Sequence, residues 1–348
     1  QKMKRFPLLI LVALISFACN KEYQPRNIEK ITIQEFKIDS TSIRSIEAVS
    51  ANKVLFASSR GDIGITNNGG KTWNIKYLKY QDSIIPHFRS TAKTKKAVFA
   101  LSVGNPALLY KMSNGNNELV YTEKHEKVFY DSMKFFADGK HGIAVGDPTD
   151  TCPSIILTND GGNSWSKISC ESLPVFEDGE AFFAASNTNI KILGNTVWIA
   201  SGGKKARVLK STDKGQNWEI YDTPIVQGNG PEGIYSIDFY DENNGIVIGG
   251  NYSKAEENKA NKAITTDGGI TWNLVANGKE PAYKSCIQYV PNTNGKEVFA
   301  VGKTGVSFSN NGGKNWKEVS KDSYYTIQFI DRNTAWLSGH QKIGKLVL

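Results

Sequence analysis

Five times along the chain a short stretch ends in tryptophan after the same arrangement of hydroxyl, amide or carboxylate, and glycine: TNNGGKTW (66–73), TNDGGNSW (158–165), STDKGQNW (211–218), TTDGGITW (265–272) and SNNGGKNW (309–316). Repetition of this kind marks a fold assembled from copies of one supersecondary unit. Each position has a physical task. Asn68, Asp160, Asp213, Asp267 and Asn311 carry a side-chain oxygen able to accept hydrogen bonds from the backbone of their own turn. Gly70, Gly162, Gly215, Gly269 and Gly313 supply positive φ. The closing Trp73, Trp165, Trp218, Trp272 and Trp316 offer a large ring to a sheet, with an indole N–H that needs a partner. The motif therefore reads as a hairpin turn leading into a strand.

A second pattern recurs seven times, an apolar strand that ends in a small residue: LFASS, VFALS, GIAVG, VWIAS, GIVIG, VFAVG and AWLSG. The final residues, Ser59, Ser102, Gly146, Ser201, Gly249, Gly302 and Gly339, lie 43, 44, 55, 48, 53 and 37 apart, a spacing typical of propeller blades. Alternating segments such as SIRSIEAV, YDSMKFF, IYSIDFY, KSCIQYV and YTIQFI precede these strands and read as innermost strands. The unit is thus inner strand, small-ended strand, third strand, turn, outer strand. These features predict an all-β, seven-bladed β-propeller. The second unit keeps only a turn, MSNGNNEL (112–119), in place of the tryptophan motif. The seventh ends at Leu348 after three strands, so ITIQEFKI (31–38) is expected to supply its outer strand, pair with 343–348 and close the ring.

The start of the sequence is different in kind. Lys4 and Arg5 precede the apolar run Pro7 to Phe17, and Ala18 precedes Cys19, a pattern of secretory signals. It resembles the lipobox of bacterial lipoproteins, with Ser16 where an aliphatic residue is usual, and the resemblance implies lipidation of Cys19. The expected organisation is a signal peptide over 1–18, a polar tether over 19–29 and the propeller over 30–348. The formal charge of +8 includes Lys2, Lys4 and Arg5 of the leader, and the remaining lysines are scattered, so nucleic acid is not an expected partner. A monomer held at a membrane through Cys19 is expected, in the cell envelope.

With turns and strands placed, the mature chain resembles the sialidase-like propellers with BNR or Asp-box repeats, and among them the photosystem II stability and assembly factors. This resemblance implies a non-catalytic envelope protein that binds a protein or extracellular ligand. It also implies an alternative, a glycoside hydrolase working at the channel mouth, because the same framework carries sialidases and glucan-active enzymes.

Loops that enter inner strands, or leave second strands, meet on the face opposite the tryptophan turns. Arg44, Arg60 and Arg89 fall there, three of only six arginines beyond the leader, and guanidinium groups hold carboxylates or phosphates in bidentate fashion. Glu177, Asp178 and Glu180, ahead of blade 4, and Glu232 with Tyr235, ahead of blade 5, are expected to face them, with His87, Tyr130, Asp131, Tyr283, Lys284, Tyr324 and Tyr325 on the rim. A protein or glycan ligand would bind here. A glycosidase would need two carboxylates at a defined separation. His87, His125, His141 and His340 show no metal-ligand spacing, and no nucleotide or nucleophile motif occurs, so neither metal nor cofactor is expected. The charged insertion NYSKAEENKANK (251–262) reads as a solvated loop of the same face. Cys152 and Cys170 stand symmetrically about Gly161 of one hairpin and are expected to form a disulfide across it, while Cys286 reads as a buried thiol.

Overall fold

The computed structural model describes residues 23–348; Cys19 and the apolar leader lie outside the described residues. Seven antiparallel sheets surround a channel. Blade 1 runs from its inner strand Ser45–Ala48 through Val54–Ala57 and Asp62–Thr66 to the outer Asn74–Tyr77. Blades 2, 3 and 6 repeat this order with inner strands Phe88–Lys93, Tyr130–Phe135 and Cys286–Tyr289. In blade 4 the inner strand, Ile190–Leu193, is short and begins late. The sheet of blade 5 (inner strand Glu232–Phe239) gains two added two-residue strands, Glu180–Ala181 and Gly202–Gly203.

Blade 7 is built from both ends of the propeller. Its inner strand Thr326–Phe329 pairs with the first arm of the final hairpin. That hairpin turns at Gln341, where φ is 57°, and returns so that the Leu348 amide donates to the Asn333 carbonyl at 2.7 Å. The N-terminal strand Ile33–Ser42 then lies outermost, with Ile33 opposite Leu346 and Phe36 opposite Ile343. The closing strand is thus the one expected from alternation, extended to Ser42. Closure covers the returning arm of the final hairpin with a further strand and buries Ile38, Ile43, Trp336 and Ile343 together.

The tryptophan turns share one hydrogen-bond scheme. In blade 3 the Gly162 amide donates to Thr158 Oγ1 at 3.0 Å, and Asp160 Oδ1 accepts from the amides of Asn163 and Ser164 at 2.8 and 3.1 Å. Partial burial alone would raise the Asp160 pKa, yet the bonds from Ser164, Thr158 and Asn163 hold it at about 2. The glycine three residues before the tryptophan of each turn meets the preceding blade. A Cβ at Gly162 would stand 2.4 Å from the Phe99 ring of blade 2, and one at Gly313 2.6 Å from Ile246 of blade 5. With φ of 80° and 87° as well, these positions require glycine for conformation and for close approach. The turn therefore fastens one blade to the next. Trp165 and Trp272 are buried. The indoles of Trp218, Trp272 and Trp316 donate to the glycine carbonyl three residues earlier, whereas those of Trp73 and Trp165 find no acceptor, so three of the five meet the expectation of a backbone partner.

Residues 23–29, the described part of the expected tether, are docked from Tyr23 onward. Arg26 Nε donates to Glu297 Oε2 at 2.8 Å, Tyr23 also donates to Glu297, and the Ile31 amide bonds the Val319 carbonyl of blade 6. The Glu297 side chain is fully buried, so its charge needs these partners.

Candidate functional site: the channel mouth

The mouth opposite the tryptophan turns is closed by the chain itself. Residues 182–189 (FFAASNTN), which take the place of the upper half of blade 4's inner strand, turn into the channel and bridge blades on both sides. Asn187, buried, donates to the Thr91 carbonyl of blade 2 at 2.8 Å and accepts from the Met133 amide of blade 3 at 2.9 Å. Ser186 donates to the Ser285 carbonyl of blade 6 at 2.6 Å, and Thr188 shares a 2.7 Å bond with Ser236 of blade 5. Below this plug lies a blind polar cavity of about 230 Å³, lined by Lys134, Lys191, Asp238, Gln288 and Gln328 among others. Asp238 and Gln288 tie its walls together by accepting from the Tyr289 and Phe329 amides of the next blade at 2.7 and 2.8 Å.

Above the plug, cations and aromatic rings converge. Arg44 donates to the Ala185 carbonyl and Arg89 to the Ala184 carbonyl, each at 3.3 Å. The Arg44 guanidinium also lies over the Tyr325 ring, 4.1 Å from its centre. Burial and the neighbouring Arg44 lower the Arg89 pKa to about 10, although Asp131 and Tyr325 oppose the shift. His87, beside both arginines, is lowered to about 4 by burial and then by their charge, and is neutral at pH 7. The carboxylates beside Arg89 and the plug, Asp131 and Asp147, are enclosed. Burial and its neighbour Asp147 push Asp131 well above the usual range, and burial pushes Asp147 upward as it accepts from the Phe182 amide at 2.7 Å. On the other side Phe183 stacks on Tyr235 at 3.9 Å, Tyr283 meets Tyr235 edge-on, and half-exposed Tyr252 completes the cluster. The result is a basin with a sealed floor, two crowded guanidinium groups and an aromatic wall.

The residues proposed from sequence separate into two groups. Arg44, His87, Arg89, Asp131, Tyr235, Tyr283 and Tyr325 lie around the plug; Arg60 is exposed on the Ser58–Gly61 turn of the same face. Glu180 does not face the arginines of blades 1 and 2. It is buried and bound to Arg207, Nε to Oε1 at 3.0 Å, and to Ser201 at 2.7 Å, because a carboxylate in that interior requires a charged partner. Glu177 is exposed, and its amide donates to Glu180. Glu232 is engaged within its own loop by Asn229. Lys284 is not on the rim but buried, donating to Thr304 and to the Gly305 carbonyl. Cys152 and Cys170 form a disulfide with Cα atoms 5.5 Å apart, at the base of the segment that leads to the plug; Cys286 is buried. The insertion 251–262 is not a free excursion: Asn251 caps a short 3-10 turn, Tyr252–Lys254, and the Ala255 and Ala260 carbonyls accept from the Tyr283 and Val226 amides. Sequence reasoning missed the plug, since nothing in FFAASNTN marks a partner as distant as Thr91 or Ser285.

A family model for the BNR/Asp-box repeat matches residues 263–274, the turn of blade 5. Among curated proteins the chain is 26% identical over 225 residues to the chloroplastic photosystem II stability/assembly factor HCF136 of Guillardia theta. The match covers 59% of this chain and 54% of that protein, so the chain spans about half the length of this relative. Among solved structures, YCF48 bound to a D1 peptide superposes with a TM-score of 0.66 at 15% identity, covering 92% of this chain and 98% of that one. YCF48 from Cyanidioschyzon merolae gives 0.62 at 15%, over 90% and 98% of the two chains. U3-55K gives 0.65 at 12%, over 92% and 100%. At such identities the structures share the fold. The chain is a seven-bladed Asp-box propeller with sequence similarity to photosystem II assembly factors.

Proposed function

We propose that this chain is an envelope lipoprotein, anchored through Cys19, whose mouth face binds a segment of a partner protein in the manner of an assembly factor. One observation carries the reading: Arg44 and Arg89 meet above the plug, each donating to its backbone, and Asp131, the carboxyl that acts on Arg89, is pushed toward its neutral form. An incoming carboxylate or acidic stretch relieves that repulsion and gains charge-assisted hydrogen bonds. The aromatic wall and exposed Tyr252 offer apolar contact beside it. Similarity to an assembly factor, and to a fold solved with a bound peptide, supports a protein over a glycan. The hydrolase alternative lacks support at this basin, because Glu180 is committed to Arg207 and Asp131 and Asp147 are enclosed.

The test is photo-crosslinking in intact envelopes with a benzophenone side chain at Tyr252, compared with one at Lys71 on the opposite face. A discrete protein adduct from Tyr252 that disappears with Arg44→Ala/Arg89→Ala is expected. An adduct only from Lys71, or a Tyr252 adduct indifferent to both arginines, contradicts the reading.

A further inference from the structure

The strap at residues 23–31 fixes on which face of the propeller Tyr23 lies. Tyr23, with the Arg332 guanidinium 4.7 Å over its ring, and Arg26, bonded to Glu297, the Arg332 carbonyl and Asn333, sit at the inner-to-second-strand connections of blades 6 and 7. Asn310, in the tryptophan turn of blade 6, donates to the Arg26 carbonyl at 3.3 Å. Tyr23 and Arg26 are therefore pinned to the face that carries the tryptophan turns, opposite the mouth. Only four peptide steps separate Cys19 from Tyr23, which reach about 14 Å when fully extended.

We infer that the turn-bearing face lies against an anionic lipid surface, holding the mouth away from the membrane toward partners. The inference rests on lipidation at Cys19, part of the function proposed above. The chemistry of the face fits such a surface. Lys53, Lys71, Lys95, Lys96, Lys140 and Lys314 stand exposed at its hairpin tips. The aspartates of the same face stay ionised but are drawn back onto their own backbone, Asp213 and Asp267 accepting from turn amides and Asp331 from the Asn333 and Thr334 amides, so that the lysines at the tips, with exposed Glu242 among them, are what a leaflet meets first. Basic side chains near an anionic leaflet attract it over roughly a Debye length, about 8 Å in physiological salt, which the short span from Cys19 makes accessible.

The test uses the full chain, purified from membranes and reconstituted in phosphatidylethanolamine and phosphatidylglycerol vesicles that carry a headgroup-attached energy acceptor. A fluorophore is placed through Lys71→Cys on the turn-bearing face or Lys204→Cys on the mouth face; Cys152 and Cys170 are bonded and Cys286 is buried. Energy transfer is expected to be several-fold stronger from position 71 than from 204. The contrast should shrink toward unity in Tyr23→Ala/Arg26→Ala, which frees the strap, with Tm measured in parallel to establish that the variant remains folded. Equal transfer from both positions in the parent protein, or stronger transfer from 204, overturns the orientation. Mass spectrometry of the N-terminal peptide separates the two ways of failing: an unmodified Cys19 removes the anchor and this inference with it, whereas a lipidated Cys19 with equal transfer removes the orientation alone.

Discussion

The two faces of this propeller are made by different rules. On one, five copies of the same turn use an internal hydroxyl, an acidic or amide side chain and a glycine pressed on the neighbouring blade, so each turn is settled by eight contiguous residues. On the other, a single irregular segment enters the channel and is held by residues from blades 1, 2, 3, 5 and 6. Repetition there would be useless, because the seven blades must share one channel opening. The comparison teaches that regularity serves blade-to-blade fastening, while the singular features collect at the face proposed for recognition.

If the turn-bearing face chiefly stabilises, Trp165→Ala should cost roughly 3 to 5 kcal/mol by removing a buried ring packed on Phe99 and Phe135. Partner binding by the folded variant should be unchanged. Exposed Ser166→Ala is the control, since Lys167 is bonded to Glu123 and Thr149 and is not neutral ground. Urea unfolding decides it, and equal midpoints for the two variants would break the comparison. Next in size is Cys152→Ser/Cys170→Ser, expected to cost roughly 3 kcal/mol for so short a loop. Because this bond precedes the plug segment, hydrogen exchange should rise across 168–189 more than in the turns of blades 5 and 6; uniform exchange would count against it.

Asn187→Ala should cost about 1 to 3 kcal/mol, since the Thr91 carbonyl and Met133 amide lose their buried partner. Unlike Trp165→Ala, it should also weaken partner binding, which a binding titration at matched folded fraction would read. Binding equal to the parent would show the plug to be mere filler.

The smallest effect concerns pH and has two opposed parts. His87 has a folded pKa of about 4 against an ordinary 6.5, so the stability it contributes is present above 6.5 and lost as pH falls toward 4. Asp147 is shifted upward by burial, so its ionisation costs stability as pH rises from the ordinary carboxylate range. Burial sets both directions; Arg89 and Arg44 reinforce the shift of His87, while the Phe182 amide opposes that of Asp147, which lies beside Asp131. His87→Asn should therefore lose stability relative to the parent as pH rises from 4 to 6.5, and Asp147→Asn should gain. Unfolding midpoints that run parallel to the parent for both variants would remove the electrostatic account of the mouth.

Much of this fold was legible in the sequence because its determinants are local. The Asp160 turn contains its own donors and acceptors, and Ile33 to Ile38 announce a strand by alternation before any partner is known. The mouth was legible only in part. Arg44 and Arg89 could be assigned to it because they occupy equivalent points in adjacent blades. Glu180 could not be separated from Glu177 by type or position, yet one lies buried against Arg207 and the other in solvent. The strap was hidden for the same reason: Tyr23 and Arg26 depend on Glu297, more than 270 residues away. A buried charge shows in a sequence only as a charge; its partner is chosen by the fold.

The central claim is that recognition belongs to the plugged mouth and attachment to the opposite face. Hydrogen exchange of the full chain, measured with and without the partner captured by the Tyr252 crosslink, addresses it directly. The account predicts slowed exchange at 182–189, at the turn around Arg60 and at Tyr252–Ala255, with the tryptophan turns unchanged. Protection confined to those turns, with the mouth exchanging as before, would contradict it.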